Sequence, residues 1–151
     1  MGATSSIVNF DIYISYPEKN EYVDFLENQL KSLNYNVINS SLLKNSLNEE
    51  INSSEIIKCM KTVFEKTRFV IICLSKNSVK SYTQSFELNE FVENTSFDTN
   101  KIMYLMIDDN YKVNNYKYFE NYIQNKRWFP FYDEETSSNS IDKILSIVFS
   151  S

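Results

Sequence analysis

The sequence predicts an α/β domain built on a five-stranded parallel sheet with helices on both faces. Three observations carry the prediction. The segments RFVIICL (68–74) and KIMYLMI (101–107) each follow one charge with an unbroken apolar run, as strands covered on both faces do. Strand-like and helix-like segments alternate five times, which is the order of βα units and not of hairpins. The 151 residues, 42% of them hydrophobic, are enough for one domain with a substantial core.

The elements follow in order. Residues 7–15, IVNFDIYIS, alternate β-branched and aromatic residues and read as a strand. The polar loop YPEKNE leads into a helix over 21–33, where Tyr22, Val23, Leu26, Leu30 and Leu33 recur at helical spacing. NYNVIN (34–39) reads as a short second strand, and 40–52 is a polar, irregular loop containing the pair Leu42-Leu43. Asn52 with Glu55 has the form of a capping box. The helix behind it puts Ile56, Ile57, Met60, Val63 and Phe64 on one stripe. The third strand, 68–74, is followed by a helix from about 82 to 93, capped by Ser81. The fourth strand, 101–107, precedes a tyrosine-rich polar stretch with a short helix near 118–123. RWFPFY (127–132) reads as an edge strand, because Pro130 cannot donate to a ladder, with Trp128 and Phe129 in the core. The last helix carries Ile141, Ile144, Leu145, Val148 and Phe149 and is capped by Ser140. No repeat or linker interrupts the chain, so 1–151 is a single domain with its core over about 8–150.

Five strands in this pattern favour the flavodoxin-like order 2-1-3-4-5, whose switch point lies between the first and third strands. A ligand would bind outside the strand ends there, at Ser15-Tyr16 and Leu74-Ser75, with the 40–52 loop able to fold over the crevice. In SVKSYTQSFELNEF (78–91), Glu87 lies between Phe86 and Leu88, on the stripe of Phe91. A helical glutamate is ordinarily a solvated charge. The switch-point geometry instead lets Glu87 face the crevice.

Composition excludes several chemistries. The chain has no histidine, which removes histidine-based triads, Cys-His pairs and histidine metal sites. Its one glycine is Gly2, which removes the Gly-rich phosphate and dinucleotide loops. Cys59 and Cys73 sit in apolar segments and read as buried, reduced thiols of a cytoplasmic protein. A net charge of −5 argues against nucleic acid as partner. No apolar run approaches the roughly 20 residues of a membrane span, and no secretory signal opens the chain. MGATSS fits an N-myristoylation pattern on Gly2, a weak membrane tether if used alone.

The segment FDIYISY, Phe10 to Tyr16, resembles the first box of the Toll/interleukin-1 receptor (TIR) domain family, and SYTQSFEL, Ser81 to Leu88, has the spacing of the family's Ser-x-Trp-Cys-x-x-Glu-Leu segment. The resemblance in element order runs from about 8 to 150. It implies one of two functions in signalling or innate immune defence. Some family members cleave NAD⁺ between nicotinamide and ribose, as glycohydrolases or cyclases, using a glutamate on the helix after strand three. Glu87 matches that position and is the implied catalytic carboxylate. NAD⁺ is then the substrate, with Ser15, Tyr16, Lys19, Lys44, Ser75 and Thr83 as its contacts, and neither metal nor cofactor is required. Other members are non-catalytic adaptors or decoys that work by TIR–TIR association, and self-association is common to both kinds. Leu42 and Leu43 are the corresponding contacts here, as an apolar pair in a polar loop. The sequence departs from the catalytic pattern in placing Thr83 at the family's Trp position and Gln84 at its Cys position. Pro17 and Glu18 stand where a basic residue often follows the first box, and the 40–52 loop has neither Pro nor Gly. Tyr16 and Tyr82 are the aromatic residues available to replace the Trp as a stacking surface.

Overall fold

The computed structural model describes residues 10–41, 58, 61–78, 81, 84, 87, 99–108 and 127–150. It contains strands β1 (Phe10–Ser15), β2 (Val37–Asn39), β3 (Thr67–Leu74), β4 (Ile102–Met106) and β5 (Arg127–Pro130). The sheet order is β2-β1-β3-β4-β5, and all four pairings are parallel. This is the flavodoxin-like order expected from the alternating pattern. Helix α1 (Glu21–Ser32) follows β1, and helix α2 (Glu134–Phe149) closes the chain. Residues 61–65, 84 and 87 are also helical.

The unbroken apolar runs form the interior strands because both of their faces are covered. All five residues of β4 are buried, as are seven of the eight in β3. On one face Ile12, Ile14, Phe69, Ile71, Cys73, Met103 and Leu105 pack with Val23, Leu26 and Leu30 of α1 and with Ile141, Ile144 and Val148 of α2. Tyr13, one residue out of phase with Ile12 and Ile14, points to the other face. There its ring meets Phe64 edge-on, with centroids 5.4 Å apart and planes at 87°. At the opposite end of β1, Asp11 accepts the Asn36 amide at 2.7 Å and pairs with Arg68 at 3.4 Å, which ties β1 to its two neighbours.

Local chemistry sets the helix ends. The Asn20 side chain accepts from the Tyr22 and Val23 amides at 3.0 and 2.9 Å, and its amide group donates to the Ile107 carbonyl just past β4. At the other end of α1 the Tyr35 amide returns to the Leu30 carbonyl and the Asn34 amide to Lys31, with Asn34 at φ 67°. That geometry is a Schellman turn, which glycine ordinarily closes. In a chain whose one glycine is Gly2, asparagine takes the left-handed position.

The structure corrects three expectations. The last helix begins at Glu134, not after Ser140, and its cap is Asp133 in a reciprocal box with Thr136. Ser140 lies within the helix because its hydroxyl donates to the Pro130 carbonyl of β5 at 2.7 Å. The polar stretch EETSSNS masked the first two turns. The second strand covers only Val37–Asn39, since Asn34 and Tyr35 are spent on the turn and the Asn36 amide goes to the Asp11 side chain. Trp128 is 47% exposed, whereas Phe129 packs on the core. Neighbouring residues of an edge strand face opposite ways, and only one face here is roofed by α1 and α2.

Two outcomes are expected. Asn34→Ala lowers the free energy of unfolding in urea by about 1 kcal/mol, because a Cβ-bearing residue without asparagine's local hydrogen bonding is costlier in the left-handed region, while Asn34→Gly leaves stability equal or higher. The Thr136 amide and hydroxyl hold the Asp133 carboxyl below its ordinary range. Its contribution is therefore present above the unfolded value near ~4 and is lost as pH falls through the lower folded value. Thermal unfolding should show Asp133→Ala less stable than the wild type at pH 7, with the gap closing at the acid end of the scan.

Candidate functional site

Glu87 is fully buried, and its carboxylate lies against the carboxyl ends of β1 and β2. Two elements supply its hydroxyl neighbours. Ser15, the last residue of β1, shares the face of Tyr13 and places Oγ 3.1 Å from Oε1. Ser40, directly after β2, places Oγ 2.8 Å from Oε1 and 2.7 Å from Oε2. Ser40 is held by backbone: its amide donates to the Ile14 carbonyl at 3.1 Å, and its Oγ accepts the Tyr16 amide at 2.9 Å. Buried carboxylates are rare without such partners.

Gln84, one helical turn before Glu87, is also fully buried. Its Nε2 donates to the Cys73 carbonyl at 2.7 Å and to Ser15 Oγ at 3.2 Å. The Ser81 hydroxyl accepts the Gln84 amide at 3.0 Å, so Ser81 serves as the cap expected of it. Burial, and after it the Glu87 carboxylate, pushes the Tyr13 phenol well above its ordinary range, which keeps that group protonated. Burial likewise pushes the Cys73 thiol up, so it is no nucleophile.

The other expected contacts are distributed differently. Tyr16 turns its ring into the α1-side core, with its hydroxyl on Asn39 Oδ1 at 3.3 Å, and only its backbone amide reaches the Glu87 cluster. It therefore provides no stacking surface beside the carboxylate. Ser75 belongs to a turn: its amide donates to Ser78 Oγ at 3.0 Å, and its own Oγ accepts the Asn77 amide at 3.1 Å. Lys19 pairs with Asp24 and Glu27, both at 3.4 Å. Partial desolvation works against its charge, but those carboxylates win and hold Lys19 above its ordinary range. Gly2, Leu42, Leu43, Lys44 and Thr83 lie outside the described residues. Sequence reasoning missed Ser40, a serine among several in a polar stretch, and treated Gln84 only as a departure from a pattern. The spacing of Gln84 three residues before Glu87, on one helical face, was the available signal for the latter.

Among the described residues no group of three or more Cys, Asp or Glu side chains is placed to hold a metal ion, and no helix is long and apolar enough to cross a membrane. A groove of about 570 Å³ runs along Asp142, Leu145, Ser146, Phe149 and Ser150 of α2 and its end. It lies on the face of the sheet away from Glu87.

The family model of the TIR domain matches residues 12–145, so the chain belongs to the TIR domain family. Among solved structures, one similar to it is the crystal structure of the RPS4 and RRS1 TIR domain heterodimer. It is 14% identical, with a TM-score of 0.60 and coverage of 94% of this chain and 97% of that one. A de novo designed Rossmann 2x3 fold protein aligns at 10% identity and a TM-score of 0.48, over 90% and 89% of the two chains. No curated protein matches the sequence.

Ser40→Ala removes one donor from a buried carboxylate and strands the Tyr16 amide. It should cost roughly 1–3 kcal/mol in urea unfolding at pH 7. In a Glu87→Gln background the same substitution should cost less, because no buried charge is left to satisfy.

Proposed function

We propose that this TIR domain cleaves NAD⁺ between nicotinamide and ribose, as a glycohydrolase or cyclase, with the Glu87 carboxylate as its catalytic group. The observation that supports the reading is the burial of Glu87 among the Ser15 and Ser40 hydroxyls at the strand ends of a switch-point fold. A carboxylate held there at the expense of its hydration is a functional-site feature in its own right.

The chemistry suits the available residues. In NAD⁺ the pyridinium nitrogen already carries positive charge. The C1′–N bond breaks with its electron pair passing to that nitrogen, and neutral nicotinamide departs without a general acid. Positive charge develops on the ribose at C1′ and its ring oxygen, where a fixed carboxylate stabilises it. Water then adds at C1′ and releases a proton; addition of an adenine nitrogen instead gives a cyclic product. None of these steps needs histidine, thiolate or metal.

Glu87 is sealed with Ser40 bonded to its carboxylate, so substrate would reach it only after the groups that cover it move. Association of TIR domains would supply that movement, and the structurally similar RPS4 and RRS1 TIR domains form a heterodimer. The sealed carboxylate and the inward ring of Tyr16 favour a second reading, in which Glu87 clamps the end of β2 in a non-catalytic adaptor or decoy.

Nicotinamide release from NAD⁺, measured at high protein concentration with a crowding agent, decides between them. The expected result is turnover by the wild type and its loss, by roughly 10²-fold or more, in Glu87→Ala. An assembled wild type without turnover would leave the adaptor reading standing.

A further inference from the structure

Ser81 and Gln84 have the spacing of a capping box, in which the glutamine side chain would reach back to the cap backbone. Half of the box is present, since Ser81 Oγ accepts the Gln84 amide. The side chain, however, turns inward to the Cys73 carbonyl and Ser15. The orientation of its amide is fixed, because a carbonyl oxygen can only accept, so Nε2 must face Cys73. This arrangement leaves Gln84 Oε1 buried with no donor among the described residues. An orphaned buried acceptor is costly, and its presence in a folded core calls for a reason.

The reason lies at Ser15. A serine hydroxyl has one proton and can accept through its lone pairs. Ser15 Oγ accepts from Gln84 Nε2, which is a donor only, and its own proton is thereby left for Glu87 Oε1, 3.1 Å away. Ser40 is arranged in the same way, accepting the Tyr16 amide and facing the carboxylate. One hydroxyl is thus directed by backbone and the other by a side chain.

We infer that Gln84 is a positioning residue, which directs the Ser15 hydroxyl onto Glu87 and so fixes the carboxylate for its work. The chain of bonds runs one way, from Gln84 through Ser15 to Glu87, and the Cys73 carbonyl anchors its far end. The catalytic consequence rests on the proposed cleavage of NAD⁺; the direction of the bonds does not.

The test separates the two. The full 151-residue chain is labelled with ¹³C-carboxyl glutamate, and the Glu87 signal is identified by its absence in Glu87→Gln. Its titration is followed in wild type, Ser15→Ala, Gln84→Met and the double variant, each shown to be folded by thermal unfolding, with Gln84→Leu replacing any Met variant that is not. Losing a donated hydrogen bond disfavours the charged form, so Ser15→Ala should move the midpoint up by roughly one pH unit. Gln84→Met should move it up by part of that amount. The double variant should titrate where Ser15→Ala does, because Gln84 acts through Ser15. In the nicotinamide assay Gln84→Met should lower kcat roughly tenfold with KM unchanged, and Ser15→Thr, which keeps the hydroxyl, should retain activity. An unmoved midpoint in folded Gln84→Met, or shifts that add in the double variant, overturns the inference. The expected midpoints in a wild type that releases no nicotinamide even when assembled uphold the positioning and overturn the NAD⁺ reading.

Discussion

The contact between Ser40 and Glu87 joins three parts of the fold that are distant in sequence. Glu87 comes from the segment after β3, Ser40 from the end of β2, and Ser15, which shares the carboxylate, from the end of β1. A carboxylate withdrawn from water must find donors, and Glu87 finds them at the two strand ends. The requirement is strict in a way that apolar packing is not. A leucine at this position would tolerate small shifts of β2, whereas a buried charge does not.

A second buried carboxylate, Glu27 of α1, shows the alternative. It lies on the opposite face of the sheet, 4% exposed, with Lys19 at 3.4 Å and Lys31 at 3.7 Å, and the Asn39 amide group also donates to it. Asn39 and Ser40 are consecutive, so the end of β2 is held by one glutamate on each side of the sheet. The surroundings differ in kind. Glu27 has two lysines to compensate its charge, the arrangement of a structural ion pair at a solvent margin. At Glu87 the side chains of Ser15 and Ser40 bring neutral hydroxyls instead. Lys19, one of the expected NAD⁺ contacts, is engaged on the Glu27 side.

The strands were legible because β3 and β4 are buried on both faces and so read as continuous apolar runs. The sheet order followed from the alternation of elements and was found as expected. Element ends were less legible where side-chain hydrogen bonds set them. The Asp133–Thr136 box and the Ser140 bond to Pro130 depend on partners that no apolar period reveals. Within the site, the switch-point rule pointed to Ser15 at the carboxyl end of β1 and to Glu87 facing it. The Glu87 carboxylate takes its hydroxyls from the ends of β1 and β2, whereas Ser75 at the end of β3 is taken up by its own turn. Ser40 was not singled out, because it is one of several serines in a polar stretch and no apolar period marks where β2 ends.

Neutral donors around Glu87 have a consequence for the proposed chemistry. A lysine in the place of Ser40 would hold the carboxylate by charge, and an incoming ribose would have to break an ion pair in a low-dielectric setting. A serine hydroxyl is chemically the same kind of donor as a ribose hydroxyl. Exchanging one for the other leaves the number of hydrogen bonds to the carboxylate unchanged, and so costs little beyond the movement of Ser40 itself. In the proposed exchange Ser15, held from behind by Gln84, would stay on Oε1 while Ser40 leaves Oε2. Under the proposed reading the closed site would be a resting form, in which the hydroxyl bonds that satisfy the buried carboxylate are bonds a ribose could take over.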